Sequence, residues 1–276
     1  MPRILLASHG GQSAEGAVRV AGLLAQRLAA TLEVLAVLEP IPAVDYGFIA
    51  SVPPTEEQYQ ALADALRAAV GEQLRRGGQG AFAPGVQFGL ATSEIARAAR
   101  EHGAALIVIG LGPHHLLDRA FGGETALQLV QVASTPVLAV PTNATALPQH
   151  VLAAIDFTPT SVRAARMPLL WLEAGDVLEL VHVAPDGPPS ATARLEQLKA
   201  ELARETRATI QTLELRGDPA RSLLEHAERS QSDGITAGTH GYGIWKRLTL
   251  GSVASKIVRL SPSTVLIAPL GSITQA

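Results

Sequence analysis

The residues best suited to chemistry lie in one glycine-rich stretch, GTHGYGIWKRLTLGS, which spans residues 238–252. Gly238, Gly241, Gly251 and Ser252 stand out by their spacing, and the helix-like run SVASKIVRL begins at the serine. Backbone N–H groups at a helix start, together with a serine hydroxyl, are suited to hold phosphate oxygens. The glycines would let the backbone turn beneath a phosphate or a ribose. The stretch therefore predicts a polyphosphate cradle.

A tight turn between a strand and a helix is the alternative explanation for these glycines. The stretch is not a Walker A loop, because no Gly-Lys-Ser/Thr follows at the required spacing. Its opening GTHGYG does not match the dinucleotide-binding pattern G-x-G-x-x-G either, and it follows the fourth predicted strand of its half rather than the first. On the glycines alone, phosphate binding and a simple turn stay equally open.

The elements that must position this stretch occur twice along the chain. Residues 105–141 resemble residues 234–269, with Gly110 matching Gly238 at a separation of 128. Repeats of this length indicate a duplicated structural unit. The glycine-rich stretch therefore has a counterpart in the first half of the chain.

The starts of the two halves match at a different separation. ILLASHGGQSA from Ile4 resembles VLAAIDFTPTS from Val151, 147 residues later. The two separations differ by 19 residues, which indicates an insertion in the first half, mostly within the proline- and aromatic-rich stretch at about 40–59. The duplication predicts two domains, 1–143 and 149–276.

Each half has the same alternation of short apolar runs and amphipathic helical patterns. In the second half the runs HVLAAID, VLELVHV, IQTLEL, GITAG and STVLIAP read as five strands with helices between them. This alternation predicts an α/β fold with a five-stranded parallel sheet in each half and helices on both faces. The apolar last runs, PVLAVP and TVLIAP, would each form a sheet edge, so we expect them to pair with each other across the halves.

Composition excludes several classes of function. The net charge is −3, which gives no bulk attraction to nucleic acid or to anionic membranes. The chain has no cysteine, which rules out disulfides and thiol catalysis and favours a reducing compartment. The N-terminal apolar run is too short for a signal peptide, and no apolar stretch reaches the roughly 18 residues of a membrane span. We therefore expect a cytoplasmic protein without nucleic-acid or membrane partners.

The glycine spacing resembles a known signature. Gly238, two residues, Gly241, nine residues, then Gly251 and Ser252 is similar to the G-2x-G-9x-G-[S/T] pattern of ATP-binding universal stress proteins. The likeness covers nearly the whole chain as two tandem copies. It implies a Rossmann-like, adenine nucleotide alpha hydrolase-like fold in each half. It also implies ATP with Mg²⁺ in the second half, pairing of the domains through their last strands, and a homodimer as a further expectation.

Carried over residue by residue, the resemblance implies an ATP site in the second half. Asp156 would accept hydrogen bonds from the nucleoside, Val183 would pack on the base, and the helix start at Ser252 would hold the terminal phosphates. The implied set is Ala154, Ile155, Asp156, Val183, Gly238, His240, Gly241, Gly251, Ser252 and Val253. For Asp156, a simple N-cap of the following helix stays open as the alternative role.

The first half departs from the signature at the positions that matter most. Pro113 replaces the second glycine, Glu124 replaces the serine, and His9 stands where the aspartate would be. A carboxylate about 4 Å from a phosphate costs about 4 kcal/mol at an effective dielectric constant near 20. The sequence therefore predicts that the first half has lost ATP binding of the family type.

Three functions remain compatible with these features. The first is a nucleotide-dependent regulatory protein of the stress response, which we favour. The second is a slow Mg²⁺-dependent ATPase, and the third is a scaffold that binds no nucleotide. No catalytic set and no metal-ligating set is predicted, because the sequence offers neither a nucleophile with its base nor paired carboxylates near the cradle.

Overall fold

The computed structural model describes residues 1–40, 55–112, 123–184, 190–239 and 250–269, with the backbone alone at positions 123 and 124. Its strands are β1 Arg3–Ala7, β2 Thr31–Leu38, β3 Gly85–Phe88, β4 Leu106–Leu111, β5 Val137–Pro141, β6 His150–Ala154, β7 Val177–Ala184, β8 Thr209–Arg216, β9 Gly234–Gly238 and β10 Thr264–Ala268. Its α-helices are α1 Glu15–Arg27, α2 Glu56–Arg76, α3 Ala91–Glu101, α4 Gly123–Val132, α5 Pro159–Arg166, α6 Thr192–Leu202, α7 Pro219–Arg229 and α8 Ser252–Leu260. Short 3-10 turns cover Gln12–Ala14 and Met167–Leu170.

The strands form one ten-stranded sheet in the order β3-β2-β1-β4-β5-β10-β9-β6-β7-β8. Neighbouring strands within each half are parallel, so the α/β fold predicted from the alternating pattern is confirmed. At the centre, β5 and β10 pair antiparallel, with Leu138 opposite Leu266. The apolar runs at the ends of the two halves therefore lie side by side in the middle of the sheet.

Helices cover both faces of the sheet, and the core on each face runs across both halves. Leu138 and Leu266 belong to the core on the face of α1, α2, α5 and α6. Ala139 and Val265 belong to the core on the face of α3, α4, α7 and α8. Strands buried on both faces need side chains that are apolar throughout, which explains the continuous apolar runs in the sequence.

Helix starts follow local capping signals. The Thr55 side chain accepts a hydrogen bond from the Gln58 N–H, and the Gln58 side chain accepts one from the Thr55 N–H. This capping box fixes the start of α2, so the end of the stretch assigned to the insertion is helical. In the second half, the Asp218 side chain caps α7 by accepting a hydrogen bond from the Arg221 N–H, with Pro219 at the first helical position.

Candidate functional site

The second-half site predicted from the sequence lies at the carboxyl ends of β6, β7 and β9. Ala154 ends β6, and Asp156 follows it two residues later. Val183 is near the end of β7, which pairs with β6 on one side, while β9 pairs with β6 on the other. Because the carboxyl ends of neighbouring parallel strands meet at one edge, the fold brings these residues to the place where α/β sheets bind ligands.

Backbone hydrogen bonds hold the two ends of the glycine-rich stretch together at this edge. Thr239 donates its N–H to the Ala268 carbonyl at 3.1 Å, and Gly251 donates its N–H to the Thr239 carbonyl at 2.7 Å. Ser252 is the first residue of α8, as the sequence predicts. His240 and Gly241 lie outside the described residues, as do Pro113 of the first half and the side chain of Glu124.

The start of α8 carries no competing group among the described residues. No side chain that the structure describes caps this helix, and its first turn contains no acidic residue. The first N–H groups of a helix lack intrahelical partners and carry partial positive charge. An anion at this position would therefore find donors that no side chain already occupies.

Asp156 organises the turn between β6 and α5. Its Oδ1 accepts hydrogen bonds from the Thr158 N–H at 2.9 Å and from the Thr158 hydroxyl at 2.5 Å. The N-cap of α5 is Thr158, whose Oγ1 accepts from the Ser161 N–H. The N-cap role left open for Asp156 is therefore filled by Thr158, and the half-buried aspartate holds the capping residue in place.

Gly238 has a packing role that its place in the motif does not reveal. A Cβ at this position would lie 2.5 Å from the Thr160 hydroxyl and 2.7 Å from the Ser161 nitrogen. Gly110 of the first half has the same packing role, because a Cβ at its position would lie 2.5 Å from the Ser13 carbonyl oxygen. Both glycines let the segment after the first strand of their half approach the sheet closely, which is the 3-10 turn at Ser13 in the first half and the start of α5 in the second. The sequence predicted that Gly238 lets the backbone turn. In the structure, its role is to leave room for the neighbouring segment.

A cluster of three side chains beside Asp156 was missed by sequence reasoning. Phe157 has a φ of 61°, which is unusual for a bulky residue. The Arg194 guanidinium lies 3.9 Å from its ring centroid, and the His182 ring lies 5.1 Å from it. The His182 Nδ1 is 2.7 Å from the Ile155 carbonyl oxygen. The cluster holds the backbone on both sides of Asp156, and no local sequence pattern predicts it.

The first half holds a formed pocket at the corresponding edge. It encloses about 610 Å³ of space including its open mouth. It lies between the sheet and the starts of α3 and α4. Its described lining residues are Ala7, Ser8, His9, Ala14, Leu35, Val37, Glu39, Ala91, Ile95, Ile109, Gly110 and Thr125.

The repeat relates this pocket to the site predicted in the second half. Strand register supports the correspondence, because Ala7 pairs with Leu35 as Ala154 pairs with Val181. The strand register gives a separation of 146 residues between β2 and β7, and the separations of 147 and 128 residues give the other equivalent positions. The matching pairs are Ala7 with Ala154, Ser8 with Ile155, His9 with Asp156, Val37 with Val183, Gly110 with Gly238, and Thr125 with Val253. Six of the ten residues predicted for ATP thus occupy positions that line a pocket in the other half.

Polar groups hold the floor and mouth of the first-half pocket. The Ser8 hydroxyl donates to the Gln73 side-chain oxygen at 2.5 Å, and the Gln73 side-chain nitrogen donates to the Gly11 carbonyl at 2.7 Å. His9 is exposed on one side at the mouth, while burial of the rest of its ring lowers its pKa. Its imidazole is therefore uncharged at neutral pH.

Metal ligation has no support in the described part of the chain. No group of three or more His, Asp or Glu side chains there has the arrangement needed to hold a metal ion. None of the described helices combines the length and the apolarity needed to cross a membrane.

Duplication, a mostly parallel sheet and a pocket at the carboxyl edge of the first half define a tandem α/β protein of the doubly wound type. The model of the Universal stress protein family matches residues 1–141 and again residues 148–269. The chain therefore belongs to the universal stress protein family. The resemblance that the glycine spacing indicated is confirmed at the level of the family.

Curated relatives and solved structures agree with this assignment. A universal stress protein of Mycolicibacterium smegmatis is 26% identical over 182 residues, which is 59% of this chain and 61% of that protein. The stress response protein NhaX of Bacillus subtilis is 43% identical over 53 residues, 19% of this chain and 32% of that protein. The chain thus matches less than two thirds of each relative's length. The crystal structure of a universal stress protein from Archaeoglobus fulgidus superposes with a TM-score of 0.72 over 98% of both chains, at 18% identity, and shares the fold.

Proposed function

We propose that this protein is a nucleotide-dependent regulatory protein of the stress response that binds ATP in its second half. The observation that carries the proposal is the start of α8, which no described side chain caps and which lies at the edge where Asp156 and the end of β9 meet. A phosphate there would accept hydrogen bonds from first-turn N–H groups and from the Ser252 hydroxyl. The equivalent positions of the first half line a pocket, which supports the same location for the nucleoside.

The residues of the second half fit such a nucleotide. The second-half pocket walls inferred from the repeat include Ala154 and Val183, which pack with the core of that face. They would offer apolar surface to a base. The outer oxygen of Asp156 would accept hydrogen bonds from the nucleoside, while Oδ1 stays on Thr158. Mg²⁺ bound with ATP would neutralise part of the phosphate charge, held mainly by the phosphates themselves.

We favour regulation over catalysis because the described groups at the start of α8 would bind the ground state and the transition state of ATP hydrolysis about equally well. Fast ATP hydrolysis needs a positioned water and groups that stabilise the charge developing on the γ-phosphate. The N–H groups of α8 and the Ser252 hydroxyl would hold ground state and transition state about equally. Such uniform binding gives affinity without rate. We therefore expect turnover well below about 1 per second.

Calorimetry with Mg-ATP tests the proposal. We expect one site per chain. Gly251→Glu should abolish it by placing a carboxylate at the start of α8. Gly123→Glu is the matched control, because it makes the same change at the equivalent position of the first half and should leave the stoichiometry at one. Two tight sites, or a site lost in the control and kept in Gly251→Glu, would overturn the proposal.

Two further measurements separate the remaining functions. At a ligand concentration a hundred times its Kd, ATP should add about 2.7 kcal/mol to the free energy of unfolding. No such stabilisation would indicate a scaffold that binds no nucleotide. Phosphate release at several per second, lost in Ser252→Ala, would make the protein an ATPase.

The antiparallel β5–β10 ladder supports a second part of the proposal, namely that the domains at 1–143 and 149–276 act as one pseudo-twofold pair. In a single-domain protein the last strand would be a free sheet edge, and such an edge favours association. Here each half supplies the partner for the other. A homodimer would then use another surface, and we propose a cytoplasmic location for the pair.

A further inference from the structure

The polar groups described in the first-half pocket do not suit a phosphate. Among the described residues that line it, none is a lysine or an arginine, and Glu39 lies at its rim. The Glu39 carboxylate accepts a hydrogen bond from the Ala91 N–H at 2.8 Å. Ala91 is the first residue of α3, so the helix start nearest the rim already has an anion. In the sequence, Glu124 is the second residue of α4.

The same pocket offers good surroundings for an apolar ring. Ala7, Leu35 and Ile109 of the sheet form one wall, and Ile95 of α3 forms the other. All four side chains are at most 7% exposed and belong to the core of that face, so the walls are fixed by packing. A planar ring between such walls would bury apolar surface on both of its faces.

We propose that this pocket binds a small aromatic or heteroaromatic molecule that carries an amino or amidino group and no phosphate. The ring lies between the sheet and α3, and the N–H groups of the ligand donate to the Glu39 carboxylate. The second carboxylate oxygen serves this contact, since one oxygen is held by Ala91. The uncharged His9 at the mouth adds no repulsion against a cation. The inference is independent of ATP binding in the second half.

Benzamidine and benzoate form a matched pair of probes, because they share the ring and differ in the sign of the charge. Both are titrated calorimetrically into the full chain carrying Gly251→Glu, so that the second-half site does not contribute. We expect one benzamidine per chain and benzoate affinity at least about tenfold lower. Equal affinity for the two probes, or no benzamidine binding at millimolar concentration, would overturn the proposal.

Glu39→Gln locates the contact without disturbing α3. Glutamine keeps an oxygen for the Ala91 N–H and removes only the charge, so we expect benzamidine affinity to fall about tenfold, with a loss of at most about 1 kcal/mol of unfolding free energy. Glu101→Gln, at the other end of α3, is the matched control and should leave binding unaffected. Ala91→Leu should weaken benzamidine by filling the pocket. Unchanged affinity in both Glu39→Gln and Ala91→Leu would place any binding elsewhere and refute the assignment.

Discussion

The two halves of this chain share a framework and differ in the chemistry at its carboxyl edge. Each half has the strand order 3-2-1-4-5 within its own part of the sheet, and each places a glycine at the end of its fourth strand. The helices after the third strands both start at a carboxylate, which is Glu39 for α3 and Asp218 for α7. The helices after the fourth strands differ in sequence, because Glu124 is the second residue of α4 and the first turn of α8 has no acidic residue. The duplication therefore preserved what packing requires and changed what selects a ligand.

A second contrast lies at the opposite, amino-terminal end of the sheet. Glu33 pairs with Leu5 in strand register, as Glu179 pairs with Leu152. Glu33 is partly exposed and bonded to Arg3 and His102, whereas Glu179 is only 8% exposed and lies 2.9 Å from the His226 Nε2. The same position thus contacts Arg3 and His102 at the surface in one half and makes a buried contact with a histidine in the other.

The largest expected effect comes from giving the first half the chemistry of the second. Combining His9→Asp, Pro113→Gly and Glu124→Ser should create a second ATP site. Removing a carboxylate about 4 Å from a phosphate is worth about 4 kcal/mol at an effective dielectric constant near 20, which is nearly a thousandfold in affinity.

Calorimetry would detect the new site as a rise in stoichiometry from one to two. The reciprocal change, Ser252→Glu, should lower the stoichiometry of the natural chain to zero. If the triple variant still binds one ATP, the difference between the halves lies in the backbone around the pocket rather than in these three side chains.

The next largest effect concerns the glycine that each half carries in its fourth strand. Gly110→Ala and Gly238→Ala each push a Cβ to within 2.5 Å of an oxygen on the neighbouring chain segment. Overpacking of this kind costs about 3 kcal/mol of folding free energy. Both variants should lower the denaturant midpoint by similar amounts, whether or not their half binds a nucleotide.

Gly71→Ala is the control for these two variants. Gly71 lies inside α2, and the nearest atom to its Cβ position is 4.0 Å away. The change should raise stability by up to about 1 kcal/mol, because alanine favours helix more than glycine does. A destabilisation confined to Gly238→Ala would show that the glycine serves the second-half site rather than the shared fold.

A smaller effect is expected in the unfolding free energies lost when Glu179 and Glu33 are replaced. Glu179→Ala leaves His226 without its buried acceptor and should cost about 2 kcal/mol of unfolding free energy. Glu33→Ala removes a partly exposed pair and should cost less than about 1 kcal/mol. Denaturant unfolding of both variants measures the contrast, and equal costs would mean that burial does not set the strength of these pairs.

Much of the fold follows from the sequence because it depends on periodicity. The alternation of apolar runs and amphipathic helices predicts the parallel sheets, and the capping sequence at Thr55 marks the start of α2. The pocket of the first half was not predicted, because it depends on the distance between α3 and the sheet. The repeat was the available signal, since it aligns His9 with Asp156 and therefore marks the same edge in both halves.

The side-chain cluster around Phe157 could not be predicted for a different reason. Its members come from a turn, from β7 and from α6, and a positive φ at a phenylalanine contradicts the local preference of that residue. Such a conformation persists only when surrounding contacts determine it. Local pattern reasoning therefore fails where tertiary contacts override propensity.

The smallest expected effect is an acid sensitivity that belongs to the first half. Burial lowers the pKa of His9 from its ordinary value of 6.5. The unfolded chain then binds this proton more readily than the folded chain, so His9 disfavours the folded state as the pH falls below about 6.5 and has no such effect above it. Wild type should therefore lose more thermal stability than His9→Gln between about pH 8 and pH 5. A difference between the two proteins that stays constant over this range would instead assign the effect of His9 to its contact with Ser13.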